Sequence, residues 1–140
     1  MDAGPLVALA TLDHPLVPAA LAFLNRSSET LILPAPVAAE VDYLLQARLG
    51  PRGNTEFLQD LAAGRFVVEC LHAPEYSTVL ALNDRYRAFS PGLCDLSIVV
   101  IAGRLGVSRI LTFDVRHFRA MTPLQGGTFT VLPMDPWTPG

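Results

Sequence analysis

Apolar and polar residues follow two different spacings along this chain. Between Val37 and Leu49 the apolar positions recur every three or four residues, which predicts an amphipathic helix. Elsewhere the apolar residues form short unbroken runs between turn residues, as over 109–113, and such runs are typical of buried strands. The same patterns predict further helices over residues 6–10, 19–25, 54–63, 74–88, 95–105 and 115–121, and further strands over residues 30–33, 66–70 and 128–132.

The order of the predicted elements determines the expected fold class. Strands that alternate with helices pair in parallel, because each helical crossover returns the chain to the same end of the sheet, and the helices cover both faces. We therefore expect an α/β fold with a central parallel sheet. The 140 residues contain no internal repeat or linker, so they are expected to form one domain over 1–133 and a Pro-rich tail over 134–140.

Composition and charge narrow the function classes. Hydrophobic residues make up 51% of the chain and charged residues only 16%, which indicates a packed core and not a disordered chain. A net charge of −3 argues against a protein that binds nucleic acid through the electrostatic attraction of its overall charge. A nuclease is still possible, because acids that hold metal cations present the opposite local charge. All ten basic residues are Arg, which suits phosphate contacts, although a GC-rich genome gives the same bias.

Targeting and membrane signals are not found in the sequence. The largely apolar run from Leu96 to Ala102 is far shorter than the about 20 residues that a membrane helix needs. The first residues lack the basic and apolar regions of a secretion signal. Cys70 and Cys94 have neither metal-ligand nor disulfide spacing, so both are expected to be free thiols in a reducing compartment. We expect a cytoplasmic protein.

Four acids lie beside or inside strongly apolar segments: Asp2, Glu40, Asp95 and Asp114. A carboxylate that is buried must be paired, hydrogen-bonded or bound to metal, because an unpaired buried charge costs several kcal/mol. Glu40 follows Val37 and precedes Leu44 at helical spacing, so it is expected on the face of its helix that packs on the core. Four such acids suggest that they share one positive counter-charge, such as a divalent metal ion.

Each acid also has a simpler explanation. Asp95 and Asp114 each precede or open a predicted helix, where Asp is a favoured N-cap. Glu40 could pair with a single Arg, and Asp2 could be an ordinary surface residue. The metal hypothesis therefore depends on the four acids together.

His117 is a further candidate, because it lies three residues after Asp114. This spacing suits a catalytic base or a metal ligand. We expect instead a partly exposed histidine that packs beside Phe118 and lies outside the predicted site.

The acids and their neighbours resemble the PIN-domain family, and within it the VapC-type ribonuclease toxins of bacterial toxin–antitoxin pairs. The resemblance spans nearly the whole chain and keeps the family's order of acids. The matching segments are Asp2-Ala3-Gly4-Pro5-Leu6-Val7-Ala8-Leu9, Pro36-Val37-Ala38-Ala39-Glu40-Val41, Asp95-Leu96-Ser97-Ile98-Val99-Val100-Ile101-Ala102 and Ile110-Leu111-Thr112-Phe113-Asp114-Val115-Arg116-His117-Phe118.

The resemblance implies a three-layer α/β/α sandwich around the parallel sheet and Mg²⁺- or Mn²⁺-dependent endonucleolytic cleavage of RNA by a metal-activated water. It implies that Asp2, Glu40, Asp95 and Asp114 bind the metal directly or through water. Thr112 is expected to be a hydrogen-bond donor just outside the ligands. The implied partners are the RNA substrate, a small antitoxin protein whose Arg enters the acidic cleft and competes with metal, and a second copy of the chain in a homodimer.

Two other functions share some of these sequence features. A phosphoacceptor receiver domain also gathers acids at strand ends, but it needs a Lys, and this chain has none. A PIN-like module that binds RNA or protein without catalysis stays open.

The N-terminus departs from the family pattern, because only Met1 precedes Asp2. We expect that the true start lies several codons upstream and encodes a short apolar strand. The alternative is that another segment or a neighbouring chain supplies that strand.

Overall fold

The computed structural model describes Met1, Gly4 and residues 14–136 of the chain. Asp2, the helix predicted over 6–10 and the last residues of the Pro-rich tail therefore lie outside the described residues. The described helices are α1 (Val17–Arg26), α2 (Ala35–Leu49), α3 (Thr55–Ala62), α4 (Glu75–Arg85), α5 (Leu93–Leu105) and α6 (Val115–Ala120). The described strands are β1 (Ile32–Pro34), β2 (Val67–Glu69), β3 (Arg109–Leu111) and β4 (Thr130–Leu132).

Each described element falls on a predicted one, with ends that differ by a few residues. Proline and glycine explain most of the ends. The second residue of α2 is Pro36, and α2 stops before Gly50, whose φ of 90° is in the left-handed region. None of the helices in the described part of the chain is long and apolar enough to cross a lipid bilayer.

The described strands pair in parallel, as predicted, but in two separate sheets. β1 pairs with β2 from Ile32–Val67 onward, and β3 pairs with β4 from Arg109–Thr130 onward. An apolar cavity of about 490 Å³ is lined by residues of both β1 and β3. The amino group of Met1 lies beside this cavity and donates a hydrogen bond of 2.9 Å to the Ile32 carbonyl oxygen.

Helix α5 is the centre of the core. Its residues 96–102 are buried without interruption, so other elements cover every side of this segment. It contacts α2, α4 and β1. Its buried residues are Leu96, Ser97, Ile98, Val99, Val100, Ile101 and Ala102. Burial of this segment fixes the position of the first turn of α5, where Asp95 lies.

Helix α2 corrects the predicted orientation of Glu40. The buried residues of α2 are Val37, Val41 and Leu45. Glu40 is exposed and Asp42 is partly buried, so the prediction that Glu40 faces the core and Asp42 faces solvent is wrong. The two acids lie on opposite flanks of the buried stripe. The turn before α3 covers the flank of Asp42, where the Asn54 side-chain amide donates a hydrogen bond to it.

Candidate metal centre

Asp95 lies in the first turn of α5. The N-cap of this helix is Gly92, so the simpler explanation of Asp95 as the N-cap is wrong. An acid in the first turn is still stabilised by the partial positive charge of the helix N-terminus. Its side chain is 15% exposed, and Asp95 Oδ2 lies 2.9 Å from His117 Nδ1. The carboxylate is thus held near the surface and directed toward α6.

Asp114 lies between β3 and α6 and has two roles. Its Oδ1 accepts a hydrogen bond of 3.2 Å from the backbone N–H of His117, so the predicted N-cap explanation is confirmed for this oxygen. Its Oδ2 lies 2.8 Å from His117 Nδ1. Capping therefore uses one carboxylate oxygen and leaves the other directed toward Asp95.

Thr112 supports Asp114 from the end of β3. The side chain is fully buried, and Oγ1 accepts a hydrogen bond of 2.9 Å from the backbone N–H of Asp114. This bond fixes the backbone from which the Asp114 carboxylate projects. The structure thus places Thr112 next to the acid, as expected, with its oxygen as an acceptor in this bond; its role as a donor stays a prediction.

His117 joins the two acids, although it was not among the predicted site residues. Its ring packs against Phe89, with 5.3 Å between the ring centroids, while the neighbouring Phe118 is buried in the core. A protonated His117 forms ion pairs with both carboxylates. The signal in the sequence was the spacing of three residues from Asp114. The contact with Asp95 requires α5 and α6 to meet, which the sequence does not show.

The three residues form a group whose composition fits a divalent metal. One ligand atom each from Asp95, Asp114 and His117 lies within 4.8 Å of the other two, and all three residues are partly buried. Carboxylate oxygens are ligands for Mg²⁺ and Mn²⁺, and imidazole nitrogen is a ligand for first-row transition metals. Partial burial strengthens the attraction of a cation and still leaves the site open to a substrate.

Glu40 does not belong to this group within the described residues, but its helix lies beside it. The Cys94 thiol, next to Asp95, lies 3.4 Å from the Pro36 carbonyl oxygen. Glu40 is one helical turn after Pro36 and lies on the same side of α2. Asp2 is outside the described residues, so its position relative to the other acids stays a prediction.

An ion pair anchors α6 from the other side. Arg119 donates two hydrogen bonds to the Asp135 carboxylate, which also accepts a bond of 2.7 Å from the backbone N–H of Val131. The bonds from Arg119, and then the bond from Val131, lower the pKa of Asp135 to about 2. The same hydrogen bonding raises the pKa of Arg119. The pair ties the segment after β4 to the helix that carries His117.

Comparison with known proteins identifies the family. The PIN domain profile matches residues 1–122, a range that contains all four predicted acids. Ribonuclease VapC26 of Mycobacterium tuberculosis is 32% identical over 133 residues, which cover 95% of this chain and 98% of the relative. The crystal structure of VapC20 of Mycobacterium tuberculosis, described as a toxin that cleaves the sarcin–ricin loop, superposes with a TM-score of 0.70.

The VapC20 match has 15% sequence identity and covers 77% of this chain and 83% of that one, so it demonstrates a common fold. The predicted α/β fold class and the resemblance noted in the sequence are thus confirmed. This chain belongs to the PIN-domain family.

Proposed function

We propose that this protein is an endoribonuclease that depends on Mg²⁺ or Mn²⁺ and acts as the toxin of a type II toxin–antitoxin pair. One observation carries the proposal. Asp95 and Asp114 come from different elements, yet each places a carboxylate oxygen within 2.9 Å of the same nitrogen atom. The names of the two relatives support RNA as the substrate class.

The metal would be held by Asp95 and Asp114, with Asp2 and Glu40 as the remaining carboxylates. When bound, the metal lowers the pKa of a water molecule and stabilises negative charge on the phosphoryl oxygens. Thr112 keeps the backbone of Asp114 in place. The exposure of Glu40 is compatible with this role, because a ligand on the substrate side of the metal has to be accessible to solvent.

Arg116 is the candidate residue for binding the RNA backbone. It lies between Asp114 and His117 in sequence, is exposed, and forms no ion pair with another described residue. Arg65, Arg87, Arg104, Arg109 and Arg119 are each paired with an acid. A guanidinium that has no ion-pair partner among the described residues, beside an acidic metal site, is suited to contact a phosphate next to the one that is cut.

The experiment compares RNA cleavage by the wild-type protein, Asp114→Asn and a matched control, Asp84→Asn. Asp84 is an exposed acid on α4 that pairs with Arg87 and does not belong to the group of Asp95, Asp114 and His117. Wild type and Asp84→Asn should cleave RNA with Mn²⁺ or Mg²⁺ and lose activity in EDTA, whereas Asp114→Asn should be inactive. Cleavage that continues in EDTA, or in Asp114→Asn, would contradict the metal site.

The same assay separates the enzyme from a binding module without catalysis. RNA binding that is equal in wild type and Asp114→Asn, with no cleavage by either protein in any metal, would support the module instead.

The antitoxin is proposed to be a small protein with a cationic segment, an Arg in particular, that enters the cleft near Asp2 and Asp114 and competes with metal. Co-expression with the product of the neighbouring upstream gene should give a complex on gel filtration, and the Asp-to-Asn variants should weaken it. Absence of any complex would count against the toxin assignment but not against the nuclease.

The cellular site and the oligomeric state complete the proposal. We propose a homodimer that acts in the cytoplasm, where its RNA substrate is found. Light scattering of the purified protein would measure the dimer directly, and a monomer at micromolar concentration would contradict it.

A further inference from the structure

His117 occupies a position that suits a metal ligand as well as a hydrogen-bond donor. Its Nδ1 atom lies 2.9 Å from Asp95 Oδ2 and 2.8 Å from Asp114 Oδ2. The nitrogen therefore contacts both carboxylates at once. The carboxylates and the imidazole together offer two oxygens and one nitrogen to a cation.

These separations are short enough for the nitrogen and a carboxylate oxygen to bind one cation together. Ligand atoms about 2.1 Å from a metal and at right angles to each other are about 3.0 Å apart. The two observed distances, 2.9 Å and 2.8 Å, are close to this value. The nitrogen and each carboxylate oxygen are thus spaced as two ligands of one cation, and one ligand atom from each of the three residues lies within 4.8 Å of the other two.

The His117 ring is also held in place by its neighbours. Its backbone N–H donates to Asp114 Oδ1, and its ring packs against Phe89, which packs in turn against the buried Tyr86. A ligand whose orientation is fixed in this way loses little conformational freedom when the metal binds.

Resting on the proposed metal-dependent activity, we propose that His117 supplies a nitrogen ligand to the metal and makes the site prefer Mn²⁺ over Mg²⁺. Mg²⁺ binds almost exclusively through oxygen and dehydrates reluctantly. Imidazole nitrogen suits transition metals, whose affinities for nitrogen ligands exceed that of Mg²⁺. A site made of carboxylates alone would not discriminate in this way.

A role for His117 as a counter-charge, and not as a ligand, predicts the opposite change in metal affinity. If His117 is only a counter-charge for the two acids, it competes with the metal for them. Its removal would then strengthen the binding of both metals. The sign of the change in affinity therefore distinguishes a ligand from a competitor.

The test uses the full chain freed of metal with EDTA, and compares wild type, His117→Phe and the control His72→Phe. Phenylalanine keeps a ring against Phe89 and removes both nitrogens. His72 also lies beside an acid, Glu75, but outside the proposed site. His117→Gln serves as a second variant if circular dichroism shows that His117→Phe does not fold.

Calorimetric titrations should show Mn²⁺ binding about tenfold or more weaker in His117→Phe, with Mg²⁺ binding changed by less than about threefold. Pulsed EPR of bound Mn²⁺ should show coupling to a ¹⁴N nucleus in wild type and His72→Phe, and none in His117→Phe.

Unchanged or tighter Mn²⁺ binding in His117→Phe, equal weakening for both metals, or no ¹⁴N coupling in wild type would overturn this inference. The proposed function would survive each of these results as long as RNA cleavage depends on metal. Failure of the wild-type protein to bind either metal and to cleave RNA would instead reject the proposed function itself.

Discussion

The two ends of α5 each carry a cluster of two carboxylates and one histidine, and the clusters differ in their counter-charge. At the C-terminal end, Arg104 lies 3.1 Å from Glu75, 3.2 Å from Glu69 and 2.6 Å from His72. At the N-terminal end, Asp95 meets Asp114 and His117 without an arginine among the described ion pairs.

This difference separates a structural cluster from a candidate metal site. The Arg104 guanidinium is permanently charged and also donates to the Cys70 carbonyl oxygen, so it fixes the end of β2 and the start of α4 on α5. The Asp95 cluster holds a histidine, whose imidazole nitrogen can bind metal. Acids that share a guanidinium have a permanent counter-charge, whereas acids that lie beside a histidine can bind a metal together with its nitrogen.

The largest expected effect comes from breaking the candidate metal site. Asp95→Asn should keep the fold but lower RNA cleavage by roughly a hundredfold or more, because it removes a charge that would hold the metal. Glu69→Gln is the matched control, because Glu69 pairs with Arg104 at the other end of α5. It should leave cleavage per folded molecule unchanged. In EDTA the melting temperature of Asp95→Asn should be equal to or above that of wild type, and a marked decrease would show that Asp95 is a structural acid.

Breaking the structural cluster should affect stability and leave activity unchanged. Arg104→Met leaves two partly buried acids without their shared cation, and it should lower the free energy of unfolding by about 2 kcal/mol, since the site is partly exposed to solvent. Urea denaturation measures this loss. A loss of cleavage greater than the loss of folded protein would contradict the assignment of the two clusters.

A smaller effect is expected for Arg116, which would add a permanent charge for the substrate beside the metal site. Arg116→Gln should weaken RNA binding several-fold and reduce the slope of log affinity against log salt by about 0.7–1. Arg87→Gln, whose guanidinium already pairs with Asp84, is the control and should change the slope little. Equal slopes for wild type and Arg116→Gln would exclude Arg116 from the interface.

The smallest effect on stability is expected for the ion pair between Asp135 and Arg119, which is partly exposed to solvent. Because the folded pKa of Asp135 is about 2, below the unfolded value of about 3.9, its contribution to stability is present above pH 4 and is lost as the pH falls toward 2. Asp135→Asn should therefore melt slightly below wild type at pH 6 and approach it near pH 2. Parallel melting curves across this range would show that the pair does not stabilise α6.

The local pattern of the sequence was sufficient to locate the described helices and strands. Periodicity, proline and glycine act within one element, so α2 and α5 could be located without any tertiary information. The order of acids and their flanking residues was also sufficient for the family, which the comparisons confirmed. The simpler N-cap explanation was confirmed for Asp114, where the cap is local, and was wrong for Asp95, where the helix begins at Gly92 instead.

Only the tertiary structure decided which side chains meet. Glu40 and Asp42 flank the same buried stripe of α2 symmetrically, and the turn before α3, remote in sequence from Glu40, determines which of them is covered. His117 reaches Asp95 because α5 and α6 converge, and a contact between two elements leaves no trace in the periodicity of either. Sequence patterns report the face that each element buries, whereas a site depends on how those buried faces are packed against one another.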